Sequence, residues 1–181
     1  DERGFFARIW CRDESAAHGI SVGIEQASVS YNRRAGTLRG MHFAWPRSAE
    51  GKLVRCGRGR IQDVILDLRP ASPSFIKHVS LVLDDRSNDA LYIPQGVAHG
   101  FQTLCDDCEV VYMMTDIYRA ELAGGVRFND SAFGIRWPLP VSCIAERDLT
   151  YPPFDAAAHS RSIDARTLND GRCVIAPNSV G

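Results

Sequence analysis

The chain has 181 residues, 45% of them hydrophobic and 24% charged, which suits one globular domain with its own core. Its 21 Lys and Arg against 22 Asp and Glu leave a net charge of −1, so there is no basic footprint for nucleic acid. No apolar run approaches the roughly 20 residues that a membrane helix needs, and no signal-peptide pattern is present.

In chain order, residues 1–12 begin with a charged turn, and Phe5-Phe6 and Ile9-Trp10 then read as a strand. Residues 13–19 read as a short helix or loop. Residues 21–31 are rich in Ser, Val and Ile and predict a strand, followed by a turn through Gly36. Residues 36–43, G-T-L-R-G-M-H-F, set an arginine and a histidine around Gly40. If they form a strand, Arg39 and Met41 face one way and His42 the other, unless Gly40 bends the backbone. A loop over 44–51 leads to predicted strands over 52–56, 60–68, 78–83, 91–93, 99–104 and 109–115. Gly, Pro and Asp turns separate them, at intervals of about ten residues. That rhythm argues for an all-β sandwich or barrel. After Trp137-Pro138 the chain turns irregular, and the tail from about residue 155 has room for a short helix.

Six cysteines stand at 11, 56, 105, 108, 143 and 173, too sparse for a secreted disulfide scaffold. Cys105-Asp106-Asp107-Cys108 is a lone C-x-x-C with no second ligand pair for zinc, in β-type rather than helical surroundings. A structural or incidental role and a reduced, cytoplasmic chain are the expectations.

Four features carry chemistry. Arg39 and Lys52 suit an anionic group, His42 suits a general base and Tyr112, in the middle of a strand, suits an acid. His99 lies between Ala98 and Gly100 just after a Pro-Gln-Gly turn. Taken singly, each has a bland reading: a packed histidine, a solvated lysine, a buried tyrosine with one hydrogen bond. No H-x-H occurs, and His42 with His99 is a thin set for a metal, so no metal is expected.

Several runs together resemble the dTDP-4-dehydrorhamnose 3,5-epimerase family. They are G-T-L-R-G-M-H-F, G-K-L-V-R-C, D-V-I-L-D-L-R-P-A-S-P-S-F, Y-I-P-Q-G-V-A-H-G-F-Q-T-L and G-V-R-F-N-D-S-A-F-G-I-R-W-P, in that order. The resemblance runs from residue 3 to about 152. It implies a cupin-like jelly roll as a single domain, a homodimer and no cofactor. The implied reaction is epimerisation at C3 and/or C5 of a dTDP-4-keto-6-deoxyhexose. A base takes a proton beside the C4 ketone, and an acid returns one to the other face. By the same resemblance His42 is the base, Tyr112 the proton donor, Asp148 the partner of the base and Lys52 the cation near the enolate oxygen. Arg3, Arg39 and Arg147 match positions near the nucleotide diphosphate, and His99 and Tyr118 match further pocket positions. The R-G-F-F opening matches a family segment that normally follows an N-terminal strand, which implies a start trimmed by roughly twenty residues.

The chain departs from the family pattern in residues 28–32, at Arg8, Met113 and Phe128, and in residues 144–148. These departures bear on which sugar or nucleotide is accepted and on whether C3, C5 or both are inverted. The competing readings are a keto-isomerase of the same sugars, a catalytically silent sugar-binding cupin and a metal-dependent cupin oxygenase.

Overall fold

The computed structural model describes residues 1–168; Cys173 and the rest of the tail lie outside the described residues. Helix α1 (Arg12–Ala17) is followed by strands β1 (Gln26–Asn32), β2 (Leu38–Ala44), β3 (Lys52–Arg58), β4 (Arg60–Asp67), β5 (His78–Asp84), β6 (Leu91–Ile93), β7 (Val97–Thr103), β8 (Cys108–Met114) and β9 (Ala123–Gly125). Helices α2 (Glu146–Thr150) and α3 (Ala156–Leu168) end the described chain. The strands form two antiparallel sheets, ordered β1-β8-β3-β6 and β5-β4-β7-β2-β9. This is the all-β sandwich that the spacing of turns predicts.

Alternation along the strands builds two apolar layers. Val54, Ile61, Phe101 and Val110 come from both sheets and fill the space between them. Met41, Phe43, Val64, Leu66 and Ala98 emerge from the other face of the five-stranded sheet, where Val126, Phe133, Trp137 and Phe154 cover them. Helix α3 docks on this second layer. Its His159 donates from Nε2 to the Leu68 carbonyl at 2.8 Å and packs among Phe43, Trp45, Phe75 and Phe154. Burial lowers the pKa of its imidazole, so the docked ring is neutral.

The structure corrects two expectations and adds one strand. Residues 1–11 form no strand; Phe5 and Phe6 are 75% and 100% exposed, because no strand among the described residues pairs with them. Strand β1 starts at Gln26 rather than near 21, because its partner β8 ends at Met114, which pairs with Gln26. Strand β9, sequence A-G-G, carries no β signal and forms only because β2 offers it an edge.

Candidate active site

Gly40 decides where the key side chains point. Its φ of +130° is open to glycine alone, and the β2–β7 register shifts between Arg39 and His42. Met41 turns into the outer layer, fully buried, while Arg39 and His42 both face a cavity of about 880 Å³. A Cβ at Gly40 would lie 2.5 Å from the Gly100 Cα, and one at Gly100 would lie 2.7 Å from the Met41 Sδ. Both glycines therefore permit the close approach of β2 and β7.

The cavity receives side chains from both sheets and from α2. Arg39, His42, Lys52, His99, Tyr112, Tyr118, Arg147 and Asp148 all line it. Arg3 does not; it is exposed and pairs with Asp1 at 2.5 Å.

His42 Nε2 lies 2.7 Å from Oδ1 of Asp148. A carboxylate only accepts, so this contact puts the proton on Nε2 and leaves Nδ1 as the basic nitrogen. Asp148 is 1% exposed, and its other oxygen accepts the Gly40 N–H at 3.3 Å. Burial pushes its pKa up, but the His42 hydrogen bond and charge, the Gly40 amide and Arg147 together hold it below the usual carboxylate range. The Arg147 guanidinium reaches His42 Nε2 at 3.4 Å and Asp148 Oδ1 at 3.6 Å.

Tyr112 enters from β8, in the opposite sheet, with its ring edge-on to His99 at 5.8 Å. Burial drives its phenol pKa well above the ordinary value and Asp63 adds to this, so Tyr112 holds its proton at neutral pH. Lys52, 7% exposed, lies 3.3 Å from Glu50 and donates to the His42 carbonyl at 3.3 Å. Burial lowers its pKa, and Glu50 opposes that shift. Arg39 is steadied by Asn32, which accepts from its Nε at 2.8 Å.

Sequence reasoning passed over Asp63, Glu50 and Asn32. Asp63, fully buried, accepts from His99 Nε2 at 2.8 Å, and its Oδ1 has no partner. Its signal was legible: strand alternation sets Ile61, Asp63 and Ile65 on one face, and a carboxylate inside an apolar run needs a partner. Glu50 and Asn32 carry no such signal, since each lies in or beside a polar turn.

Among the described residues no cluster of three His, Cys, Asp or Glu side chains suits a metal ion, and no helix is long and apolar enough to cross a membrane. The arrangement can take a proton from one face of a ligand, supply one from the other and neutralise negative charge between.

A family model described as dTDP-4-dehydrorhamnose 3,5-epimerase matches residues 1–156. A protein of that name from Sinorhizobium fredii is 38% identical over 153 residues, covering 84% of this chain and 78% of the relative. A dTDP-4-dehydrorhamnose 3,5-epimerase from Bacillus anthracis, solved with TDP and PPi bound, superposes with a TM-score of 0.83 at 35% identity, covering 85% of this chain and 88% of that one. A dTDP-6-deoxy-D-glucose-3,5-epimerase from Legionella pneumophila, solved in complex with dTDP-4-keto-L-rhamnose, superposes with a TM-score of 0.77 at 32% identity, covering 83% and 80%.

Proposed function

The chain belongs to the dTDP-4-dehydrorhamnose 3,5-epimerase family, with its cupin-like jelly-roll fold, and from that premise we propose how the cavity works and which residues carry each step. It is an isomerase-class enzyme of deoxysugar biosynthesis that epimerises a dTDP-4-keto-6-deoxyhexose. The C4 ketone acidifies the neighbouring C–H bonds. Nδ1 of His42 takes the proton from C3 or C5, and Asp148 stabilises the imidazolium that results. Charge moves to O4, where Lys52 stabilises the enolate. Tyr112 then gives its proton to the carbon from the other face, which inverts the centre, and is recharged from solvent. Arg39 and Arg147 take the diphosphate, and His99 and Tyr118 orient the sugar. The ketone itself supplies the acidity, so this route asks for no cofactor.

The observation that carries this reading is the 2.7 Å His42–Asp148 bond facing, across one cavity, a tyrosine from the opposing sheet whose environment keeps it protonated. The match favours epimerisation over keto-isomerisation and over a silent sugar-binding domain. The homodimer reading is supported by the exposed apolar side chains of Phe5, Phe6 and Val29, and it gives Arg3, on the same exposed segment as Phe5 and Phe6, its route to a diphosphate. A single cytoplasmic domain completes the proposal.

Proton NMR of dTDP-4-keto-6-deoxyglucose in deuterated water tests it. Deuterium enters both C3 and C5 for a 3,5-epimerase, or one of them for a restricted enzyme. The His42→Ala variant abolishes exchange, and Tyr112→Phe permits exchange while blocking inversion. Undiminished exchange in His42→Ala would remove the base assignment. Equal loss of both steps in Tyr112→Phe would remove the separate acid.

A further inference from the structure

The C-x-x-C motif, which the epimerase chemistry leaves unused, is built differently in space than its sequence suggests. Cys105 and Cys108 bracket the turn between β7 and β8, with their sulfurs 3.4 Å apart. The turn is tied down by its own acidic residues. Asp106 accepts the Ala35 N–H at 2.7 Å, Asp107 accepts the Tyr31 hydroxyl, and Asp107 takes a left-handed φ of +55°. With one carboxylate held against the turn that follows β1 and the other against β1 itself, the two cysteines converge. Gly59 closes over them: a Cβ there would stand 2.7 Å from the Cys108 sulfur and 3.0 Å from the Cys105 sulfur. The pair does not line the cavity, and Cys108 lies about 13 Å along the strand from Tyr112 at 3.3 Å per residue.

The two thiols differ in access. Cys108 is fully buried and donates weakly to the carbonyls of Arg60 and Cys105, whereas Cys105 is half-buried and reachable. Burial also pushes the pKa of the Cys108 thiol up, so it is a poor first nucleophile but a well-placed second one. Cys56, fully buried on β3 with its pKa pushed up to about 12 by burial, is inert by comparison.

We propose that Cys105 and Cys108 are a redox-closable dithiol, a modification site separate from the epimerase cavity, which a small-molecule disulfide converts to an intramolecular bridge across the β7–β8 turn. Cys105 loses its proton to solvent and attacks one sulfur of the oxidant. A mixed disulfide forms and one small thiol leaves. Cys108 then loses its proton and attacks the Cys105 sulfur, displacing the second small thiol. Two protein thiols are oxidised by two electrons, and one disulfide is reduced to two thiols. The step costs little reorganisation, because the sulfurs are already in contact and only the turn must tighten.

The test uses the full chain and 2-hydroxyethyl disulfide, a neutral probe that the acidic turn does not repel. After reaction, free thiols are alkylated and the chain is cut with trypsin. The peptide from residues 87–119 contains Cys105 and Cys108, no other cysteine and no internal Lys or Arg. The expected peptide is two hydrogens lighter than the reduced form and carries no alkyl group, and a dithiol reductant restores both alkylation sites. In Cys108→Ser the reaction stops at the mixed disulfide on Cys105, and in Cys105→Ser the buried Cys108 stays unmodified. A wild-type peptide that is fully alkylated, or that keeps the probe on Cys105, overturns the proposal. So does a bridge from either residue to Cys56.

Discussion

Replacing Asp148 by Asn tests the proposed base more sharply than removing the histidine, because it keeps volume and shape and deletes one buried charge. Asp148 is 1% exposed and meets His42 Nε2 at 2.7 Å, so solvent does little to screen the pair. A charge-assisted hydrogen bond of this kind contributes about 1.5–3 kcal/mol. The stabilisation matters most when His42 has taken the substrate proton and carries a full charge. Arg147, 3.4 Å from the same nitrogen, then repels an imidazolium that has lost its counter-charge; that side chain is 60% exposed, so its repulsion is discounted to below about 1 kcal/mol. The sum is about 2–4 kcal/mol at the transition state, or roughly 30- to 1,000-fold in rate. An asparagine amide can also donate to Nε2, which would shift the proton to Nδ1 and block the base, so the loss belongs at the upper end. The assay is the rate of deuterium incorporation at C3 and C5 with saturating substrate, alongside urea denaturation to confirm folding. A folded variant whose rate falls less than about threefold, or whose defect is confined to KM, would refute the dyad as the source of base strength.

Asp63→Asn weakens the acceptor that orients His99 at 2.8 Å, and we expect kcat/KM for exchange to fall about tenfold with the fold intact; an unchanged value would make Asp63 merely structural. Gly40→Ala forces a Cβ to 2.5 Å from the Gly100 Cα at a φ of +130°, so urea denaturation should show a loss of more than about 2 kcal/mol, and a wild-type midpoint would contradict the backbone argument. At Asp67 burial alone would raise the carboxyl pKa, yet hydrogen bonds from Arg69, Ser72 and Ser74 hold it well below the usual range. A depressed folded-state pKa gives stability that is present above the unfolded value of about 3.9 and is lost as pH falls through the folded value. Asp67→Asn should therefore cost about 2 kcal/mol near neutral pH, with the gap to wild type closing in acid; a gap that widens in acid would reverse the assignment.

The periodic parts of this protein were open to reading in one dimension. Strands β4 and β5 follow runs rich in Val, Ile and Leu, and Gly, Pro and Asp turns bound the strands from β3 to β8, because a strand must bury apolar side chains and a turn must free the backbone. The side chains that line the cavity were legible too, since the motifs around His42, Lys52, His99 and Tyr112 identify the family through local spacing. The N-terminal strand was misread because strand formation needs a partner edge, and no apolar run such as Phe5-Phe6 carries that information. Strand β9 was missed for the complementary reason: an available edge recruits even Ala-Gly-Gly.

What the amino-acid sequence determined by itself was the fold class, the family and the kind of chemistry, all of which rest on local pattern. Direction and pairing came from the packed fold alone. A glycine at φ +130° turned Arg39 and His42 to the same side, and a residue 106 positions away became the hydrogen-bond partner of His42. Asp63 became a buried acceptor for His99, and two cysteines of an ordinary turn were brought into contact. Each of these depends on distances between strands remote in sequence, which packing of the whole core sets and which no local spacing encodes.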